Sequence, residues 1–286
     1  MTLTARPLHP LFGVEIGGVD LAAPLNDATF AAIRDAFEAH SLLLFRDQVL
    51  DDDAQVAFSR RFGPLETTVK ANPAGGTYFA RQSNLDIATG AFIPPEDRRM
   101  IYQKANYFWH TDSSFKRVPS LCSLLSARIV PPEGGETEFA TMRAAYDDLP
   151  EATKRRLDGL VALHSLQHSR SLVDPDVLTQ DQRDEVPPVP QTLVRVNPVN
   201  GRKALYVGAH ASQIVGWPQD EGSAFLRELT EFATQPRFVY RHAWRAGDLL
   251  VWDNRALLHR ATAYDGVRYK RLMQRTTVAG DAPTVP

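Results

Sequence analysis

The stretch Trp109-His110-Thr111-Asp112-Ser113-Ser114-Phe115 constrains this chain more than any other. His110 and Asp112 stand two apart, and in an extended backbone residues i and i+2 project to one face. One imidazole and one carboxylate can therefore converge on one ion. Two ligands do not make a metal site, and a lone His-x-Asp is more often a surface or hydrogen-bonded pair. A third candidate lies far downstream at His259, closing the stretch Trp252-Asp253-Asn254-Arg255-Ala256-Leu257-Leu258-His259. Two histidines and one carboxylate, with part of the coordination sphere left open, form the ligand set of non-haem Fe(II) oxygenases. A fold that uses these residues must bring the middle of the chain against its end.

At 286 residues there is room for one large domain or two ordinary ones. A composition of 43% hydrophobic and 23% charged residues is that of a globular protein with a substantial core. The net charge is −2 and no long run of like charges occurs, so neither nucleic acid nor a membrane surface is an expected partner. Cys122 is the only cysteine, which excludes an intrachain disulfide and suits a reducing compartment. Met1 to Pro10 is broken by Pro7 and Pro10 and has no signal-peptide core. No apolar run approaches the roughly 20 residues that span a bilayer. A soluble, cytoplasmic protein is expected.

Taken in order, Leu11 to Ile16 reads as a strand ending at Gly17-Gly18. Asn26 caps a helix with Phe30, Ile33 and Phe37 at helical spacing. Ser41 to Phe45 reads as a buried strand, and Asp51 to Asp53 open a second helix that stops at Gly63-Pro64. From residue 66 to 105 periodicity fails, with Pro73, Gly75, Gly76, Gly90 and Pro94-Pro95 interrupting it. A structureless stretch of this length leading into the His-x-Asp motif is expected to be an active-site lid. Ser120 to Val130 and Glu136 to Phe139 read as strands, and Met142 to Leu149 and Glu151 to Leu160 as helices. Residues 171–192 are proline-rich and read as a surface excursion. Thr192 to Val196 and Lys203 to Val207 form a hairpin across Asn200-Gly201. A helix from Ser223 to Thr234 precedes strands at Phe238 to Tyr240, Leu249 to Trp252 and Tyr269 to Val278. Many strands with inserted helices and no clear linker predict a single domain over 1–286, mainly β, built on a β-sandwich or jelly roll.

An Fe(II) oxygenase also needs a source of electrons, and the usual small donor is 2-oxoglutarate. Its keto acid end chelates iron, and its far carboxylate suits the planar fork of arginine. Arg271 and Arg275 fall on one strand face, about 13 Å apart. Paired arginines are more often a solvated basic face, but Met273 shares this one and argues that it points inward.

Together, His110-x-Asp112, Gly134-Gly135-x-Thr137, Trp252-Asp253-Asn254-Arg255 with His259, and Arg271 with Arg275 resemble the taurine dioxygenase superfamily of Fe(II)/2-oxoglutarate enzymes. The resemblance runs from Gly17-Gly18-Val19-Asp20-Leu21 to Arg275-Thr276-Thr277. Within the superfamily it points to the 2,4-dichlorophenoxyacetate dioxygenases and related aryloxyalkanoate enzymes. That narrower likeness rests on Pro7 to Phe12, Met142 to Asp147 and Gly208-Ala209-His210-Ala211-Ser212. It implies a double-stranded β-helix in which His110, Asp112 and His259 hold the iron. Thr137 and Arg271 would then bind the distal carboxylate of 2-oxoglutarate, Asn106 would line the pocket and Trp252 would wall it. Arg275, the lid residue Lys70 and the backbone N–H of Ser113 would hold the substrate's anionic end. Asn197 stands where many relatives carry a histidine linked to the substrate pocket, which bears on the substrate and not on the iron.

The reaction so implied is oxidative decarboxylation of 2-oxoglutarate to succinate and carbon dioxide, with dioxygen consumed and ascorbate as an in vitro activator. The carbon beside the ether oxygen of an aryloxyalkanoate is hydroxylated, and the hemiacetal collapses to a phenol and an oxo acid. A sulfonate or alkyl sulfate substrate stays open because Arg275 would bind those anions too. So does a non-catalytic metal-binding jelly roll, although such a protein has no use for carboxylate clamps. Asp112 disfavours a halogenase, which leaves that position free for a halide. A homo-oligomer is neither required nor excluded.

Overall fold

The run Leu42-Leu43-Leu44-Phe45 shows how the layers are arranged. Leu42 and Leu44 gather with Phe139 and Leu257 on one side, while Leu43 and Phe45 gather with Ile33, Phe37 and Phe58 on the other. A strand covered on both faces carries no polar alternation, so this one reads as a continuous apolar run. All four side chains are fully buried, and each such burial contributes about 1.5–3 kcal/mol.

The computed structural model describes residues 3–72 and 74–285; Met1, Thr2, Pro73 and Pro286 lie outside the described residues. Strands β1 (Thr4–Pro7), β2 (Val14–Gly17) and β3 (Leu42–Phe45) open the chain, with the helix Asp27–His40 between the second and third. The helix Asp52–Arg60 precedes β4 (Ala80–Ser83), and the helix Arg98–Lys104 precedes β5 (Cys122–Ile129) and β6 (Thr137–Thr141). Next come the helices Met142–Asp147 and Glu151–Leu157, β7 (Val161–His164) and the short helices Leu166–Ser171 and Gln180–Glu185. They are followed by β8 (Val189–Thr192), β9 (Val194–Val196), β10 (Lys203–Leu205) and β11 (Ala211–Ile214). The helix Gln219–Ala233 leads to β12 (Val239–His242), β13 (Leu249–Asp253), β14 (Leu257–Ala261) and β15 (Leu272–Val278).

The large sheet runs β1-β2-β3-β13-β5-β15-β4, and a smaller one runs β12-β6-β14. The inner face of the large sheet, with Leu125, Leu250, Trp252 and Met273, packs on Phe139 and Leu257 of the small sheet. The helices Asp27–His40 and Asp52–Arg60 cover its outer face. Asn26 caps the first as expected, accepting from the Thr29 N–H at 2.8 Å, and Asp51 caps the second, accepting from that of Ala54 at 2.7 Å. Cys122 is fully buried in β5, where its surroundings push the thiol well above its ordinary pKa.

Several expectations change. The 66–105 stretch is not structureless: Ala80–Ser83 pairs antiparallel with β15 as an edge of the large sheet, and Arg98–Lys104 is helical. Ala80-Arg81-Gln82-Ser83 shows no apolar alternation because Gln82, opposite Met273, lines a polar cavity while Arg81, on the alternate face opposite Gln274, is polar as well. Residues 171–192 contain a helix opened by a capping box of Thr179 and Gln182, and then β8. The helix begun at Glu151 stops at Leu157. The last strand starts at Leu272 rather than Tyr269, because the Arg271 N–H donates to the Asn84 side chain at 2.8 Å instead of to a ladder.

A buried ionic cluster joins the first helix to the turn after β13. Arg255 donates from Nε to Asp253 Oδ1 at 2.8 Å and from Nη2 to Glu38 Oε2 at 2.7 Å. Arg143 reaches the other Asp253 oxygen at 3.1 Å, and Asn197 Nδ2 donates to Glu38 Oε2 at 2.8 Å. Removing one partner of such a cluster leaves charge buried and uncompensated. Arg255→Ala is therefore expected to lower the unfolding free energy by about 3–5 kcal/mol, read as a shifted urea midpoint. A change inside the scatter of surface substitutions would contradict this.

Candidate active site

His110 and His259 are neighbours across a two-residue antiparallel bridge. The His110 N–H donates to the His259 carbonyl at 3.0 Å, and the His259 N–H to the His110 carbonyl at 2.8 Å. His259 gains this position from β14, which pairs with β6 so that His259 lies opposite Phe139. Gly208 lies close against the other side of the bridge: at φ 104°, a Cβ there would come within 2.8 Å of the Trp109 carbonyl oxygen. Thr111 turns away from the ligand face and donates to the Asn254 carbonyl at 2.8 Å, which leaves His110 and Asp112 on the same side.

The Asn254 amide ties these segments together. Its oxygen accepts from the Asp112 N–H at 3.2 Å and from Trp252 Nε1 at 2.9 Å. Its nitrogen donates to the hydroxyls of Ser120 and Ser123, each at 3.0 Å. Ser123 in turn donates to Asp112 Oδ2 at 2.7 Å, and Ser120 to the Asp112 carbonyl at 2.8 Å.

Ligand-capable atoms of His110, Asp112 and His259 all lie within 4.8 Å of one another. His110 Nδ1 donates to the Phe108 carbonyl at 2.8 Å, which turns Nε2 toward Asp112. Both ring nitrogens of His259 are buried without a hydrogen-bond partner, and Nε2 lies 3.7 Å from Asp112 Oδ2. Burial pushes His110 down to about 4, and burial with the neighbouring His110 holds His259 well below its ordinary value. Burial alone would raise Asp112, but Arg275, His259 and His110 outweigh it and keep the carboxyl far below the usual range. Two neutral imidazoles and one carboxylate, with a buried imidazole left unpartnered, fit a divalent cation.

One cavity adjoins this centre, and a second shares a wall with it. The first is lined by His110, Asp112, Ser113, Phe115, Tyr102, Arg170, His210 and Arg275. The second, about 220 Å³, holds Arg271, Tyr264, Ile93, Met100 and Tyr107. Gln82, Gln103 and Asn106 line both and form the wall between them. Arg271 is buried, donates to the Gly135 carbonyl at 3.2 Å and stacks on Tyr264, yet its Nε has no partner. Thr137 Oγ1 accepts from Trp244 Nε1 at 3.0 Å, so its own hydroxyl hydrogen is left to donate.

Residues 4–277 match the family described as taurine catabolism dioxygenase TauD, TfdA family. The chain belongs to this family. It is 43% identical over 98% of its length to the alpha-ketoglutarate-dependent 2,4-dichlorophenoxyacetate dioxygenase of Burkholderia sp. (strain RASC), covering 95% of that protein. It is 39% identical to the (S)-phenoxypropionate/alpha-ketoglutarate-dioxygenase of Sphingobium herbicidovorans, covering 96% of this chain and 94% of that one. Among solved structures, AAD-2 in complex with Mn(II) and N-oxalylglycine superposes with a TM-score of 0.92 at 41% identity, covering 100% of both chains. Membership of the TauD/TfdA family makes this chain an alpha-ketoglutarate-dependent dioxygenase, and it implies iron and 2-oxoglutarate at the centre described above.

Most of the residues singled out in the sequence reach this centre, and three are placed differently. Lys70 turns outward to Asp181 at 3.2 Å with 62% of its side chain exposed, and it does not line the cavity. Its direction is set by a charge partner on the helix Gln180–Glu185, which the sequence does not place nearby. Trp252 is fully buried behind His259, with ring centroids 4.7 Å apart, and so supports a ligand from beneath rather than walling the pocket. Asn197 belongs to the Glu38 cluster and lines neither cavity, so it has no direct contact with a substrate there. Ser113 adopts a left-handed φ of 54° and its hydroxyl donates to Glu66 at 2.7 Å, while its N–H makes no hydrogen bond among the described residues. Arg275 lines the cavity and pairs with Asp112 Oδ1. His210, Arg170, Tyr102, Phe115, Gln82 and Gln103 were not singled out as lining residues, although His210 stood in one of the family-like stretches.

Two outcomes follow for solution behaviour. Burial pushes His164 to about 3 and His110 to about 4, and holds His210 and His259 well below 6.5. Above pH 6.5 these histidines are neutral in both states and do not affect stability. Below it the unfolded chain takes up protons that the folded chain refuses, and stability falls by up to about 1.4 kcal/mol per pH unit for each histidine. The urea midpoint of the metal-free protein should therefore drop steeply from pH 6.5 to 4, and His164→Gln should remove one histidine's share of that slope. Asn254→Ala should weaken Mn(II) binding about 10–100-fold by freeing Asp112 and its serines. Unchanged affinity in a metal titration would show that the amide does not orient the ligand.

Proposed function

We propose that this dioxygenase hydroxylates aryloxyalkanoates such as 2,4-dichlorophenoxyacetate at the carbon beside the ether oxygen, giving a phenol and an oxo acid. The observation that carries the reading is the makeup of the first cavity, where Tyr102 and Phe115 line the same space as the guanidiniums of Arg170 and Arg275 and the candidate ligands His110 and Asp112. An aryl ring and an acid group joined by a short ether match that division. The names of the relatives, for 2,4-dichlorophenoxyacetate and phenoxypropionate, support the same class.

In this reading His110, Asp112 and His259 hold Fe(II), which supplies oxygen activation when bound. Arg271 takes the distal carboxylate of 2-oxoglutarate in the second cavity, with Tyr264 beside the guanidinium, and Thr137 is read as a further donor to that carboxylate. Asn106 presents its amide to both cavities and separates cosubstrate from substrate. The Ser113 N–H offers a donor beside Asp112, and Arg275 keeps that carboxylate ionised from the cavity side. The two facing sheets are read as the two halves of a double-stranded β-helix, and residues 66–72 of the 66–105 stretch as the part that closes over the substrate. Ascorbate would serve as an activator in assays.

The test is succinate release with Fe(II), ascorbate and 2-oxoglutarate across aryloxyacetates, aryloxypropionates, alkyl sulfates and sulfonates. The aryloxyalkanoates are expected to stimulate release most and to yield the matching phenol. A clear preference for a sulfate or sulfonate would transfer the enzyme to that substrate class. Arg271→Ala is expected to raise the KM for 2-oxoglutarate about ten- to a hundredfold, the loss of one charge-assisted contact.

A further inference from the structure

Each cavity at this centre contains a buried guanidinium with no anion. In the second cavity it is Arg271, which the cosubstrate's carboxylate would satisfy. In the first it is Arg170, on the short helix Leu166–Ser171. Arg170 is 7% exposed, its Nε is sealed without a hydrogen bond, and no carboxylate among the described residues pairs with it. Its guanidinium stacks 4.2 Å from the centroid of the Tyr102 ring, which fixes the plane of the fork.

The acids lining this cavity are already engaged. Glu66 accepts from Lys116 and from Ser113, each at 2.7 Å, and Asp112 accepts from Arg275 and Ser123. Arg81, a further cation on the wall, is only partly buried and also reaches a separate surface cavity beside Asp86. Lys70 points away to Asp181. A desolvated cation without a counterion is costly, and an incoming anion removes that cost.

We infer that Arg170 binds the carboxylate of the substrate and so sets the enzyme's preference for acids, an inference that rests on the aryloxyalkanoate reading above. Its planar fork can take both carboxylate oxygens, which neither Lys70 nor the already paired Arg275 is placed to do. Arg275 in this arrangement positions Asp112.

The test is calorimetric titration of protein loaded with Mn(II) and N-oxalylglycine, which binds without turnover, using 2,4-dichlorophenoxyacetate and its primary amide. Wild type should prefer the acid. Arg170→Gln should weaken the acid about ten- to a hundredfold while leaving the amide within about twofold, and Arg170→Lys, which keeps the charge and loses the fork, should fall between. Equal weakening of both probes would indicate a packing role beside Tyr102 and overturn the inference, as would an unchanged ratio in both variants. If Arg170→Gln does not fold, the Arg170→Lys ratio decides. A wild type with no preference for the acid overturns the inference without any variant. Succinate release by wild type tests the reaction separately, so the two can fail independently.

Discussion

The side-chain amide of Asn254 is the interaction on which the centre depends. Two ligands come from an irregular segment and one from β14, and nothing in an extended chain alone would hold an aspartate beside a histidine from the far end. The amide accepts from the Asp112 backbone and donates to both serines that hold Asp112 from behind. The main-chain bridge between His110 and His259 then needs only to set the spacing. On the Asp112 Oδ2 side the carboxylate is held by a neutral hydroxyl, while Arg275 pairs with Oδ1 from the cavity side.

Charge is distributed on a similar plan elsewhere. Asp253 and Arg255, which flank Asn254, are spent on the cluster with Glu38 and Arg143, and this locks the turn to the outer helix. Buried ions of the scaffold are thus neutralised within the scaffold. Of the cations that line the cavities, Arg275 and Lys116 pair with Asp112 and Glu66, whereas Arg271 and Arg170 have no carboxylate partner among the described residues. The contrast separates residues that build the fold from residues that wait for ligands.

The three residues of the candidate metal centre were legible because the chemistry demands fixed residue types, and a two-residue spacing on extended backbone puts both side chains on one face. Arg275 was legible through strand alternation, although Arg271 lies just before β15, and the helix starts were legible through the Asn26 cap and the aspartates 51 to 53. Lys70 was not, since the direction of a long side chain depends on a partner distant in sequence. Trp252 and Asn197 sit in motifs that look functional, but they support the site from behind or brace the scaffold. The edge strand at Ala80–Ser83 escaped notice because one of its faces is polar cavity wall, which erases the apolar signal. Arg170 sits on a helix too short for periodicity to register, and its meaning comes from what is absent around it.

The burial of Cys122 has a consequence for an enzyme that handles dioxygen. Oxidation and alkylation of sulfur proceed through the thiolate, and here the thiol is sealed between β13 and β15 and held protonated by its surroundings. The chain's sole sulfhydryl is thereby kept out of reach of the oxidants its own reaction can leak. A thiol reagent added to the folded protein would find nothing to label until the large sheet opens, so labelling would act as a clock for global unfolding.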